Sequence, residues 1–359
     1  MIEYKVGIIG ATGMVGQRFI TLLSAHPWFK ISALAASKNS AGKSYEAALS
    51  GRWVMGTPIP DDIKSMPVLD AEADAEKIAA TVDFVFCAIN LDAASTRTLE
   101  EKYAVLECPV ISCNSACRCL ADVPMIIPEI NPDHAEIIPI QRRRLGTKRG
   151  FIAVKSNCSI QSYVPALNPL RKFGLTKALI CTYQAISGAG KTFERWPEIV
   201  DNIIPYISGE EEKSEREPLK IWGSIEHSKI INAESPIITT QCLRVPISNG
   251  HIAAVFASFE HTPDEHEIKE LWQSFSEEPQ RLNLPSAPKQ FIRYFDEPDR
   301  PQAKLDRDFE HGMGISVGRL RRDSLFDYKF VCLSHNTIRG AAGGAILLAE
   351  LLAANGYFE

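Results

Sequence analysis

A cysteine set among polar residues, Ser156-Asn157-Cys158-Ser159, follows a short apolar run from Phe151 to Val154. The thiolate form of a cysteine is a strong nucleophile. A helix opening near Ser159 would favour that form through its dipole and leave the Cys158 N–H free for an oxyanion. His251 closes a Pro246-to-Gly250 turn between two strand-like runs, a place that aims a side chain into a cleft. Imidazole takes a thiol proton and later exchanges protons with reacting oxygens. Arg244, seven residues earlier, offers the planar fork that grips a carboxylate. Arg118 sits in a polar loop after the run Pro109 to Ser112, where it would reach a phosphate or carboxylate if the loop faces the cleft. Each residue alone has a plainer reading: a small core hydrophobe for the cysteine, a structural histidine, a surface ion pair for the arginine. Glu210-Glu211-Glu212-Lys213 reads by itself as a solvated charge run.

At the other end of the chain, Gly10-Ala-Thr-Gly13-Met-Val-Gly16 follows the apolar run Tyr4 to Ile9 and precedes a helix-like run from Gln17 to Ser24. Strand, glycine loop and helix in that order form the context in which such a loop cradles a dinucleotide pyrophosphate. A second strand, Ile31 to Ala36, ends in Ser37-Lys38 rather than in an acidic residue. A hydroxyl and an ammonium accept a ribose 2′-phosphate that a carboxylate would repel, which favours NADP(H) over NAD. Together these features suggest a thiol that attacks an acyl carbon and a cofactor that exchanges hydride with it.

Those residues need elements to hold them. Strands at Val82 to Ala88, ending at Ile89-Asn90, and at Pro109 to Ser112 continue the alternation of strand and helix, so the fold class is α/β with a Rossmann-type, doubly wound parallel sheet. Near residue 150 the runs lengthen and become β-branched: 178–186, 237–245, 252–259 and 328–333. They suit an α+β catalytic and dimerisation domain with a mixed or antiparallel sheet. Residues 336–355 are Ala/Leu-rich and helical, and are expected to return to the first domain, giving 1–155 with 336–359 as one domain and 156–335 as the other. The charged stretches 141–149 and 209–218 read as surface. The chain of 359 residues carries a net charge of -5, which argues against a nucleic-acid binder, and no apolar run is long enough for a membrane span. No signal peptide is visible, so the expected compartment is the cytoplasm. Nine cysteines include a cluster at Cys108, Cys113, Cys117 and Cys119 whose spacing fits no standard zinc pattern. Free thiols are the better reading, and no metal is expected.

Taken together, Gly10 to Gln17, Asn157-Cys158-Ser159, Gln184 to Gly190, Asp201 to Pro205, Gly209 to Lys213, Arg244-Val-Pro246 with Gly250-His251, and Asn336 to Gly343 resemble the aspartate-semialdehyde dehydrogenases, in the style of the archaeal and fungal branch. The resemblance spans nearly the whole chain. It implies NADPH-dependent reduction of β-aspartyl phosphate to aspartate β-semialdehyde and phosphate through a cysteine thioacyl intermediate, serving lysine, methionine, threonine and isoleucine synthesis. It implies Cys158 as nucleophile, His251 as acid/base, Gln184 to position the acyl group and Asn157 as an oxyanion donor. Arg244 would hold the substrate carboxylate, Arg118 and Lys213 the phosphate, with Glu210 assisting. Cofactor contacts would come from Gly10, Thr12, Gly13, Met14, Val15, Ser37, Lys38, Asn90, Ser187, Gly188, Gly190 and Asn336. A homodimer or homotetramer is implied. The chain departs from the branch at Lys191-Thr192-Phe193, where Tyr-Pro-Gly is usual, and at Ser156, where proline is common. A malonyl-CoA reductase of the same superfamily and a non-catalytic nucleotide-binding sensor are the competing readings.

Overall fold

The computed structural model describes residues 3–359. Its first sheet has six parallel strands in the order β3-β2-β1-β4-β5-β6: β1 Tyr4–Ile9, β2 Phe29–Ala36, β3 Val68–Asp70, β4 Phe84–Cys87, β5 Val110–Ser112 and β6 Ile152–Val154. These strands are apolar on both sides because helices cover both faces. Among the helices are α1 (Met14–Leu23), which starts directly after the glycine loop, and α2 (Ala93–Val105).

The second sheet is mixed, in the order β10-β7-β11-β14-β13-β12. Its strands are β7 Leu175–Gln184, β10 Ile237–Arg244, β11 His251–Phe259, β12 Ile292–Phe295, β13 Ile315–Arg322 and β14 Tyr328–Ser334; a small hairpin, β8 Ser224–Glu226 with β9 Lys229–Ile231, stands apart. Along β11 the alternate residues His251, Ala253, Val255, Ala257 and Phe259 are buried, while Ile252, Ala254, Phe256 and Ser258 are half-exposed. The period of two therefore gives this sheet one covered face and one open face. Helix α3 (Ile160–Leu167) packs on the covered face, against β11, β13 and β14. A further helix, α4 (Glu210–Ile221), lies against β10 and α3.

The chain then returns to the first sheet. A wide π-type turn over Ile338–Ala342 leads into α5 (Gly343–Ala354), whose residues Gly343 to Leu352 are all buried. Beyond it, Phe358 stacks on Phe84 with centroids 4.3 Å apart and meets Tyr4 at 5.7 Å. The Tyr357 and Phe358 carbonyls accept hydrogen bonds from Arg142 (2.7 Å) and Arg149 (2.9 Å). Of the two stretches read as surface, both are corrected in part: Gln141 is fully buried, bonded across to Ile152, and α4 turns Glu210, Ser214, Glu217 and Lys220 inward.

Candidate active site

The two sheets bring the chemistry-bearing residues together by simple rules. His251 is the first residue of β11 and lies on its buried face, the face α3 covers. Cys158 stands two residues before α3 begins, so its sulfur arrives over that histidine, with Sγ 3.4 Å from Nε2. Gln184 and Arg244 end the parallel strands β7 and β10 and are partners in register, so both emerge on the same edge. The Arg244 guanidinium donates to the Ala185 carbonyl at 2.7 Å. A methyl group on Gly188 would come within 2.8 Å of Arg244 Nη1 and 3.1 Å of the His251 ring, so the bare glycine permits the approach of both.

Hydrogen bonding sets the tautomer of His251. Its Nδ1 accepts from the Ala185 N–H at 3.0 Å, which leaves the proton of the neutral ring on Nε2, facing sulfur. Burial, aided by Arg244, holds this imidazole well below the usual histidine range. In this tautomer His251 Nε2–H is a hydrogen-bond donor to sulfur. The thiol itself is pushed up to about 11, by burial first and then by Glu210, against the opposing pull of Lys155, Arg118 and Arg244. Desolvation thus opposes the activation expected from the helix dipole.

Helix α4 supplies Glu210 and Lys213, both expected at the site, and also Ser214, Glu217 and Lys220, which sequence reading missed. Glu210, Ser214, Glu217 and Ile221 recur at helical spacing and form its buried face. Glu210 accepts from Gln184 Nε2 at 3.0 Å, and Lys213 Nζ lies 3.8 Å from the same carboxylate. Glu217 joins three segments: it pairs with Arg118 at 2.9 Å and accepts the Asn157 N–H at 2.5 Å. Arg118 also donates to the Cys113 carbonyl at 2.8 Å, leaving only its Nε without a partner. The residue reaches the site, but as a largely committed cation. Lys220 donates to the carbonyls of Arg118, Leu120 and Val123, pinning the loop that carries Arg118. Asn157 accepts the Ser159 N–H at 2.7 Å, so its own backbone N–H and that of Ser159 are both taken. Among the described residues, the Cys158 N–H has no acceptor and remains the backbone donor for an oxyanion.

The nucleotide side has the expected form. Gly10 has a φ of +90°, and a side chain there would lie 2.5 Å from the Ala88 carbonyl oxygen. Gly13 opens α1 with no side chain capping it, so the first helical N–H groups around Met14 and Val15 stay available to phosphate. Ser37 and Lys38 line a cavity of about 540 Å³ together with Asp70, Glu72, Ser95 and Lys102. Asn90 faces a smaller one of about 180 Å³ with Asn114 and Ser115. A third, of about 190 Å³, joins Met14 and Arg18 of α1 to Ser187, to Asn249 and to the unusual segment Lys191-Thr192-Phe193. These features fit a dinucleotide. Asn336, expected at the cofactor, faces inward. It is nearly fully buried, its amide donates to Ser187 at 2.8 Å, and it accepts from the Gly250 N–H at 2.8 Å. Both ends of the amide are occupied, so it ties the Ser187 loop to the turn before His251. The nine cysteines are all free; Cys108 and Cys117 are buried and Cys119 is exposed.

The chain matches known proteins along nearly its whole length. The profile of the semialdehyde dehydrogenase NAD binding domain matches residues 5–138, and that of the semialdehyde dehydrogenase dimerisation domain matches residues 167–339. The chain is 42% identical to the aspartate-semialdehyde dehydrogenase of Archaeoglobus fulgidus and 43% identical to that of Schizosaccharomyces pombe, each over 98% of both proteins. The crystal structure of aspartate semialdehyde dehydrogenase with NADP from Candida albicans superposes with a TM-score of 0.88 at 39% identity, covering 99% of each chain.

Proposed function

The chain belongs to the aspartate-semialdehyde dehydrogenase family, and from that premise we infer how its residues divide the work. The activity is the NADPH-dependent reductive dephosphorylation of β-aspartyl phosphate to aspartate β-semialdehyde and phosphate, a step of amino-acid biosynthesis. Gly10, Gly13, Ser37 and Lys38 would hold NADPH, which supplies hydride when bound. The observation that carries the assignment of roles is the Cys158–His251 pair, 3.4 Å apart, with Gln184, Glu210 and Arg244 converging on it.

In this reading Arg244 grips the substrate carboxylate, and Lys213 with Arg118 faces the phosphoryl group. The Cys158 thiolate attacks the acyl carbon, the carbon–oxygen bond to phosphate breaks, and a thioester remains on sulfur. The Cys158 N–H and the Asn157 amide donate to the oxyanion. After hydride has reached the thioester carbon, the carbon–sulfur bond breaks and the aldehyde leaves. His251 Nε2–H then faces the restored thiolate. Covalent capture divides one difficult displacement into two easier ones. The domain division carries over as proposed, 1–155 with 336–359 for the nucleotide and 156–335 for catalysis. A cytoplasmic homodimer or homotetramer completes the reading. The dimerisation-domain match and the open face of the second sheet support self-association.

Nicotinamide absorbance in the reverse direction tests it, with aspartate semialdehyde, phosphate and NADP+. The expected result is phosphate-dependent NADPH formation that is lost in Cys158→Ala. Activity retained in that variant would remove Cys158 from the mechanism.

A further inference from the structure

Lys155 is a lysine inside the protein, only 2% exposed, directly after β6 and three residues before the nucleophile. Among the described residues it has no carboxylate partner, and its ammonium makes one hydrogen bond, to the Ser156 carbonyl at 2.5 Å. A buried ammonium left so poorly paired costs stability, and the proposed reaction steps make no use of it.

Its position relative to sulfur is fixed by the final helical segment. A methyl group on Gly340 would lie 2.9 Å from Cys158 Cβ, and one on Gly344 would lie 3.2 Å from Lys155 Cε. Residues four apart share one face of a helix. The nucleophile and the lysine therefore rest side by side on the same face, one turn apart.

The surrounding charges leave a role for it. Arg118 is paired with Glu217, and Arg339, on the turn that carries Gly340, is paired with Glu129. Lys213 lies against Glu210, His251 is neutral, and Cys113 is a thiol pushed up to about 11 by burial. Among the described residues, Arg244 and Lys155 are then the cations near sulfur without a paired carboxylate, and in the proposed reaction Arg244 is claimed by the substrate. A thiolate at Cys158 needs a compensating charge that stays when substrate binds. Burial together with Arg118 pushes the Lys155 ammonium down to about 8, and the Cys158 charge opposes that fall.

We propose that Lys155 is a positioning residue for catalysis, the cation that sustains the Cys158 thiolate from beneath the nucleophile loop. The inference rests on Cys158 being the nucleophile. Its sign is definite: losing the ammonium raises the pH at which the thiol ionises.

The test is the pH dependence of Cys158 alkylation by iodoacetamide in the full-length protein, followed by mass spectrometry of the Cys158 peptide, with NADPH binding as the check on folding. In Lys155→Met the alkylation midpoint is expected to move up by about one to two pH units, with a loss of roughly tenfold or more in rate at pH 7.5. Lys155→Gln, which keeps a polar end without the charge, is expected to behave the same way and serves if the methionine variant does not fold. A midpoint and rate equal to wild type in a folded variant would overturn the proposal. If alkylating Cys158 leaves the dehydrogenase reaction intact, it is instead the nucleophile assignment that fails.

Discussion

At the scale of the residue, the site is a set of charges that have nearly all been spoken for. Glu217 holds Arg118 with one oxygen and the Asn157 N–H with the other, so it fixes both the loop of the nucleophile and the phosphate-side cation. A buried pair of this kind adds little net stability but is costly to break, because the surviving charge stays desolvated. Glu217→Ala is expected to lower unfolding stability by about 3–5 kcal/mol in urea titrations and to slow turnover. Stability within about 0.5 kcal/mol of wild type would show that Arg118 finds another partner. The substrate anions should behave differently. Arg244→Ala is expected to raise the KM for aspartate semialdehyde, and Lys213→Ala the KM for phosphate, more than tenfold while the NADP+ affinity changes little, and an equal loss of NADP+ affinity would refute the assignment. Cys158, His251 and Arg244 were legible because strand ends and turns flank them. Glu217 and Lys155 were not, since what makes each functional is a partner far along the chain, 99 residues away for Glu217 and nearly two hundred for Gly344.

At the scale of the element, strands were easier to read than the edges that join them. Apolar runs marked β1, β2, β4, β5 and β6 to within two residues, whereas β3, β12 and β13 were not marked and are held by neighbours. Helix α4 misled because three glutamates open it; acidic residues suit a helix N-terminus, and only the spacing of Glu210, Ser214 and Glu217 betrays an inward polar face. The helix expected from Asn336 onward is interrupted by a π-type turn, which brings Gly340 against Cys158. The glycine loop offers the sharpest test at this scale. Gly10→Ala forces a side chain into a left-handed conformation and against the Ala88 carbonyl, so NADPH affinity should fall by about tenfold or more in fluorescence titration. Binding at wild-type strength would mean that the loop relaxes without moving the helix N-terminus.

At the scale of the whole molecule, the second sheet keeps one face unfilled: Tyr183, Ile252, Ala254 and Phe256 are half-buried or exposed there, beside an edge strand whose Ile237 is 69% exposed. Apolar area of this kind is stable when another copy covers it. Phe256→Glu is expected to shift the particle to the mass of one chain in light scattering, and an unchanged assembly would place the interface elsewhere. The last residues carry a different consequence. Because α5 and Phe358 close over strands that begin at Tyr4, the first sheet finishes its core only with residues from the far end of the described chain. A chain made from its N-terminus therefore has these strands long before the helix that covers them, and its nucleotide-binding half folds last of all although it begins first.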